Sequence, residues 1–229
     1  MTVRAVLFDV DFTLAKPGPE LGPEGYVRTG ALHGLTLDPA RFDAARDAAL
    51  DLLVRHPDLD HDDEIWFAFT ERIVLGMGGE QPASYACAVD ITRGWELHEN
   101  FELYEDTAPV LHELRSAGLK IGLLTNSSRD VHAFARHHLL DVDAAIGSFQ
   151  HGKTKPHESI FRAVLELLDV EPADAVMVGD TVEDDIEGAR ALGMHAILVD
   201  RLGRHPGYAG RLADLYGLPA ALGLPPRST

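Results

Sequence analysis

Two aspartates, Asp9 and Asp11, stand two residues apart directly after the apolar run Val3 to Phe8 (VRAVLF). In extended backbone their side chains share a face, with Cα atoms roughly 6.5–7 Å apart. Asp180, with Asp184 or Asp185 close behind, follows a second apolar run, Ala175 to Gly179 (AVMVG). If the two runs lie side by side, three or four carboxylates meet in one small region. Unscreened carboxylates at close range repel by about 1 to 4 kcal/mol per pair, so such a cluster calls for protons or for a cation. Hard oxygen ligands with no His or Cys in the motif favour Mg²⁺ over zinc, and Mg²⁺ commonly joins one or two carboxylates to a substrate phosphate and water.

A phosphate also needs donors. Thr125 offers a hydroxyl at the end of the run Leu119 to Thr125 (LKIGLLT), and Asn126 and Ser127 offer backbone N–H groups just ahead of a helical stretch. Lys155, in HGKTKP (151–156), supplies a cation. Phosphoryl transfer needs positioning and charge neutralisation, which a metal, a lysine and these donors provide. A carboxylate can act as the nucleophile, forming an aspartyl-phosphate. A second carboxylate two residues on can protonate the leaving alcohol and then activate water.

The elements that must position these groups alternate. Apolar runs at 3–8, 119–125, 144–147, 175–179 and 195–199 read as strands. Helical stretches separate them: one with Val110, Leu111 and Leu114 that stops at Gly118, one at about 130–140, one carrying Ile160, Val164 and Leu167, and one at 183–192. Alternation of this kind predicts an α/β fold, a Rossmann-like parallel sheet with helices on both faces. Ligands gather at the carboxyl ends of such strands, where Asp9, Thr125 and Asp180 fall. Between residues 16 and 100 the pattern is different. The Gly/Pro-rich stretch Lys16 to Gly25 reads as a loop. Three helical stretches follow, one from Phe42 to His56, one around Ile65 to Ile73, and one from about Pro82 to Leu97. Residues 1–15 and 101–229 are therefore expected to form the α/β core, with 16–100 as a helical insertion.

Four segments taken together resemble the haloacid dehalogenase-like (HAD) superfamily, a group dominated by phosphatases. They are Asp9-Val10-Asp11-Phe12-Thr13-Leu14, Thr125-Asn126 after LKIGLL, Lys155-Pro156, and Gly179-Asp180-Thr181-Val182-Glu183-Asp184-Asp185-Ile186. They come in the family's order and span the whole α/β core. The resemblance implies that 16–100 is a cap inserted after the first strand, closing over the site and selecting the leaving group. It implies Asp9 as nucleophile and Asp11 as general acid/base. The metal would be held by Asp9, Asp180 and the backbone carbonyl of Asp11. Thr125 and the Asn126 amide would grip phosphate, and Lys155 would neutralise charge. Asp185 fits the second acid of the fourth segment, and Asp184 fits an alternative spacing. One departure stands out: Phe12 occupies a position where the family usually has glycine, which bears on the turn after the first strand.

Each segment alone has a plainer reading. Asp9-x-Asp11 can be a solvated turn, Thr125-Asn126 a helix N-cap, Lys155 a surface lysine, and the acids at 180–185 a complement to a helix dipole. The conjunction at strand ends, in order, favours chemistry. The acidic run Asp58 to Glu64 lacks the glycine and spacing of a calcium loop and reads as a solvated helix start. His137-His138 and His56/His61 lack a clear third zinc ligand. Trp66, Phe67, Phe69 and Trp95 read as core of the insertion, and Cys87 as a small core residue.

Composition narrows the functions further. Lys and Arg number 20 against 37 Asp and Glu, for a net charge of −17. Such a surface repels nucleic-acid backbones and anionic membranes. The single cysteine excludes an intrachain disulfide and fits a reducing compartment. No run is long and apolar enough to cross a membrane, and the N-terminus lacks a signal-peptide core; a cytoplasmic protein is expected. The expected activity is a Mg²⁺-dependent phosphatase acting on a small phosphorylated metabolite, with no nucleic-acid or membrane partner. A phosphomutase of the β-phosphoglucomutase kind and a 2-haloacid dehalogenase are the catalytic alternatives. A non-catalytic binding protein is disfavoured because Asp9, Asp11, Lys155 and Asp180 are all present. Oligomeric state is left open by the sequence.

Overall fold

The structure, a computed structural model, describes residues 3–225. The strands are β1 (Ala5–Phe8), β2 (Ala15–Pro17), β3 (Phe101–Leu103), β4 (Lys120–Thr125), β5 (Ala144–Gly147), β6 (Ala175–Gly179) and β7 (His195–Leu198). The helices are α1 (Pro23–Leu32), α2 (Phe42–Asp47), α3 (Glu64–Gly76), α4 (Ala83–Gly94), α5 (Thr107–Ser116), α6 (Val131–His137), α7 (Ser148–His151), α8 (Glu158–Leu168), α9 (Gly188–Ala191) and α10 (Leu218–Ala221). The chain divides into two compact units, Met1–Lys16 with Leu103–Thr229, and Pro17–Glu102. It crosses between them within the β2–β3 ribbon.

The first unit is built on a five-stranded sheet in the order β5-β4-β1-β6-β7, with every neighbouring pair parallel. All four residues of β1 are fully buried, as expected of a central strand covered on both faces. Its side chains alternate between two cores. Ala5 and Leu7 join Leu124, Ala175 and Met177 against Ile160, Phe161, Val164 and Leu168 of α8. Val6 and Phe8 point the opposite way, toward the side where α5 and α6 pack on β4 and β5. Phe8 pairs with Leu123 and Val178, so Asp9, Thr125 and Asp180 leave the sheet at one edge. The chain runs β1, β4, β5 outward on one side and β6, β7 on the other. The order therefore reverses beside β1, the kind of place where open parallel sheets bind ligands.

The second unit is helical. Its core joins Tyr26 and Leu37 to Ile73 and Val74 of α3, to Met77 just after it, and to Cys87, Ala88 and Ile91 of α4. Two expectations are corrected. The loop expected over 16–25 gives way at Pro23 to α1, which the periodicity did not mark. Proline at the first turn is already set at a helical φ, and Tyr26 is held edge-on to Phe42 at 5.1 Å. Gly25 is required there because a Cβ would lie 1.8 Å from the carbonyl oxygen of Glu20. The helix expected from Phe42 to His56 stops after Asp47 and resumes only as a 3₁₀ turn, Leu50–Leu52. Only Ala49 of that stretch joins the core, Leu50 and Val54 are exposed, and Pro57 disfavours helix just ahead of itself. Trp66, read as core, is 42% exposed, and Cys87 is fully buried as expected.

Candidate active site

Lys155 is the centre of the site. Its side chain is 2% exposed, and Nζ donates to Asp9 Oδ1 at 2.6 Å, Asp185 Oδ1 at 2.7 Å and the carbonyl of Leu124 at 3.0 Å. Three acceptors use all three ammonium protons. The second oxygen of Asp9 accepts from Thr13 Oγ1 at 3.0 Å, and its backbone N–H donates to Val178. Asp9 is thus held through both oxygens, each of which keeps a further lone pair.

Of the two acids that the spacing left open, Asp185 lies at the lysine. It is fully buried and is the acid that reaches Lys155, and its other oxygen accepts from Thr181 N at 3.0 Å and Thr181 Oγ1 at 2.6 Å. Two local features make room for it. Residues Val182–Glu187 form a π-helical turn where an ordinary helix was expected to begin, a wide turn of the kind that recurs at functional sites. Gly179 lets the carboxylate lie against the end of β6, since a Cβ there would sit 2.2 Å from Asp185 Oδ2.

Asp9, Asp180 and Asp185 each place a carboxylate oxygen within 4.8 Å of the others. Burial raises Asp9 well above the ordinary carboxylate range; Lys155 offsets this in part, and Asp185, Asp180 and Asp11 add to it. Burial likewise pushes Asp180 up to about 7, with Asp185 contributing in the same direction. Burial alone would lower Lys155, but Asp185 and Asp9 outweigh it and keep the amine protonated. The pocket therefore has more negative charge than its own cations neutralise. All the donors offered are carboxylate oxygens, so a divalent cation with oxygen preference fits this set. Asp9 and Asp180 would hold it, with the Asp11 carbonyl implied by resemblance as a third ligand.

Of the remaining expected residues, Asn126 and Phe12 are placed by hydrogen bonds and Thr125 and Asp184 by burial. Thr125 is buried at the end of β4. Asn126 has a role beyond its amide: its side chain accepts from Lys155 N at 2.7 Å and donates to Lys155 O at 3.1 Å. It thereby holds the lysine's backbone beside the end of β4. Phe12 takes the left-handed conformation itself, with φ 64°, and donates its N–H to Ala15 O at 2.7 Å. The tight turn usual for glycine is kept, at a cost of about 1–2 kcal/mol. Asp184 lies on the same π turn and is partly buried.

Two participants were not singled out from sequence. Arg129, 2% exposed, places one terminal nitrogen 2.8 and 2.9 Å from the two oxygens of Asp11. Arg201 donates to the carbonyl of Thr13 at 3.0 and 2.8 Å and to both oxygens of Asp106 at 2.9 and 2.8 Å. Arginine in a polar loop carries no periodic signal. The only hint for Arg129 was its place four residues after Thr125.

A family model described as haloacid dehalogenase-like hydrolase matches residues 3–193. Among curated proteins, the chain is 39% identical over 125 residues to Phosphatase MT3486 of Mycobacterium tuberculosis, covering 52% of this chain and 55% of that one. It is 32% identical over 141 residues to the ribulose-1,5-bisphosphate 5-phosphatase of Halopiger xanaduensis, covering 60% and 58%. The chain spans little more than half the length of these two relatives. Among solved structures, a HAD phosphatase from Thermococcus onnurineus is similar at 30% identity and a TM-score of 0.67, with 96% of this chain and 98% of that one covered. No helix among the described residues is long and apolar enough to cross a membrane.

Proposed function

The chain belongs to the haloacid dehalogenase-like hydrolases, and from that premise we propose that it is a Mg²⁺-dependent phosphatase of a small phosphorylated metabolite. The observation that carries this reading is the buried Lys155 bridging Asp9 and Asp185, with Asp180 alongside, at the carboxyl edge of a parallel sheet. Named phosphatases among the relatives support it.

In this reading Asp9 Oδ attacks phosphorus, forming an aspartyl-phosphate as the ester P–O bond breaks. Asp11 gives a proton to the departing alkoxide, then takes one from the water that attacks the acyl-phosphate and releases inorganic phosphate. Lys155 neutralises the nucleophile's neighbourhood and the phosphoryl charge, which in a buried site contributes strongly. Thr125 and the Asn126 N–H bind phosphate oxygens. A bound Mg²⁺, held by Asp9 and Asp180, supplies charge stabilisation for the phosphoryl group. Residues 16–100 serve as the cap that selects the leaving group.

A phosphate-release screen over phosphorylated metabolites, with Mg²⁺ and with EDTA, tests the proposal. Turnover that needs Mg²⁺ and vanishes in Asp9→Asn supports it. Chloride release from a 2-haloacid without metal would overturn it. Turnover that depends on a bisphosphorylated activator would make the enzyme a mutase.

A further inference from the structure

We infer that Arg129 is a positioning residue for Asp11, setting the carboxylate that exchanges its proton with the leaving alcohol; the inference rests on the phosphatase reading above. The two residues are 118 positions apart in sequence, and one terminal nitrogen of Arg129 lies within 2.9 Å of both oxygens of Asp11. Their exposures differ in a telling way. Arg129 is 2% exposed and its partner 20%. The arginine is thus the fixed member and the carboxylate the one that reaches the open side.

Arg129 is itself anchored from behind. Its guanidinium carbon lies 5.1 Å from the centre of the Phe134 ring of α6, a cation–π stack. Its backbone N–H donates to Ser127 Oγ at 3.1 Å. Asp130 caps α6 by accepting from Ala133 N at 2.9 Å, which fixes the loop that carries the arginine. A carboxylate on the turn after β1 would otherwise sample several rotamers. The contact occupies one lone pair on each Asp11 oxygen and leaves the other for the proton in transit.

Positioning of a general acid has a readout that ordinary structural support does not share. A proton donor matters greatly when the leaving alkoxide is strongly basic and little when it is a stabilised phenolate. The experiment compares kcat/KM, which reports the first phosphoryl transfer, for benzyl phosphate and p-nitrophenyl phosphate with Mg²⁺. Wild type, Arg129→Met, Arg129→Lys and Asp11→Asn are measured. Because both esters are assayed on one preparation, the ratio is independent of the fraction folded.

Arg129→Met is expected to lose roughly thirtyfold or more on benzyl phosphate and about threefold or less on p-nitrophenyl phosphate, the larger loss being a part of the 10²–10⁴ that general acids supply. Arg129→Lys should recover part of the benzyl loss. On the Asp11→Asn background, Arg129→Met should change the ratio no further, as residues acting through one group are not additive. Equal losses on both esters would mean that Arg129 binds phosphate or only supports the fold, and would overturn the inference while leaving the phosphatase reading intact. So would an altered ratio in the double variant. If Arg129→Met is inactive on both esters, Arg129→Lys decides by the same ratio. Wild-type protein that hydrolyses neither ester would remove both the reading and the inference.

Discussion

Lys155, buried, and Arg201, largely buried, are cations paired with buried carboxylates, yet they sit in opposite electrostatic settings. Arg201 meets Asp106 through two nitrogens and the carbonyl of Thr13 through two contacts, and Asp106 also accepts from Leu215 N at 2.7 Å. The guanidinium stacks on Tyr104 at 3.8 Å. One charge meets one charge, with backbone groups satisfying the remainder. Lys155 instead touches two carboxylates and lies beside a third. A balanced buried network locks the chain in place. An unbalanced one costs stability and is kept where charge must be bound or moved. The two networks connect, because Arg201 holds the carbonyl of the residue whose hydroxyl steadies Asp9.

The sharpest way to break this contrast is at the nucleophile. Asp9→Asn should cut turnover by about 10³-fold or more with an unchanged circular dichroism spectrum; a rate near wild type would move the nucleophile elsewhere. Lys155→Met should lower kcat about 10²–10³-fold and also cost about 3–5 kcal/mol in stability, because two buried carboxylates lose their partner. Urea melts and steady-state kinetics on one preparation would read both.

Arg201→Met should show the scaffold pattern instead. The stability loss is again about 3–5 kcal/mol, a Tm fall of roughly 10 °C for a chain of this size. The activity loss at a temperature where the variant is folded should be far smaller than for Lys155→Met. Equal kinetic damage would erase the distinction between the two networks. Asp180→Asn sharpens it from the other side. In metal-free protein, removing one of the crowded carboxylates should raise stability on the order of 1 kcal/mol while abolishing Mg²⁺-dependent turnover.

The smallest expected effect lies at Asp200, on the scaffold side. Burial pushes its carboxyl up, but backbone N–H groups of His205 and Arg204 outweigh that and hold it below the ordinary 3.8. A carboxylate whose folded pKa is depressed stabilises the fold above its unfolded value and loses that contribution as pH falls through the folded one. Thermal melts from pH 5 downward should therefore fall less steeply for Asp200→Asn than for wild type.

Much of the architecture was legible in the residues. Strands buried on both faces appear as short, nearly continuous apolar runs, so β1, β4 and β6 and the groups at their ends could be located without coordinates. The helical unit was less legible. α1 carries Gly25 and Gly30 and follows Gly22, which disguises it, and Trp66 is exposed where its hydrophobicity suggested core.

Within the site, residue types and order were enough to nominate Asp9, Asp11, Thr125 and Asp180, because their chemistry is local to strand ends, and Lys155 as the cation of a loop between helices. Which acid faces the lysine, that Asn126 secures the lysine's backbone, and that Arg129 reaches Asp11 were settled only by tertiary structure. Those contacts join segments up to 118 residues apart, or depend on whether one turn is π or α. A pattern along the chain records what each residue prefers beside its neighbours; a charge's partner is chosen by which loops the sheet order places together.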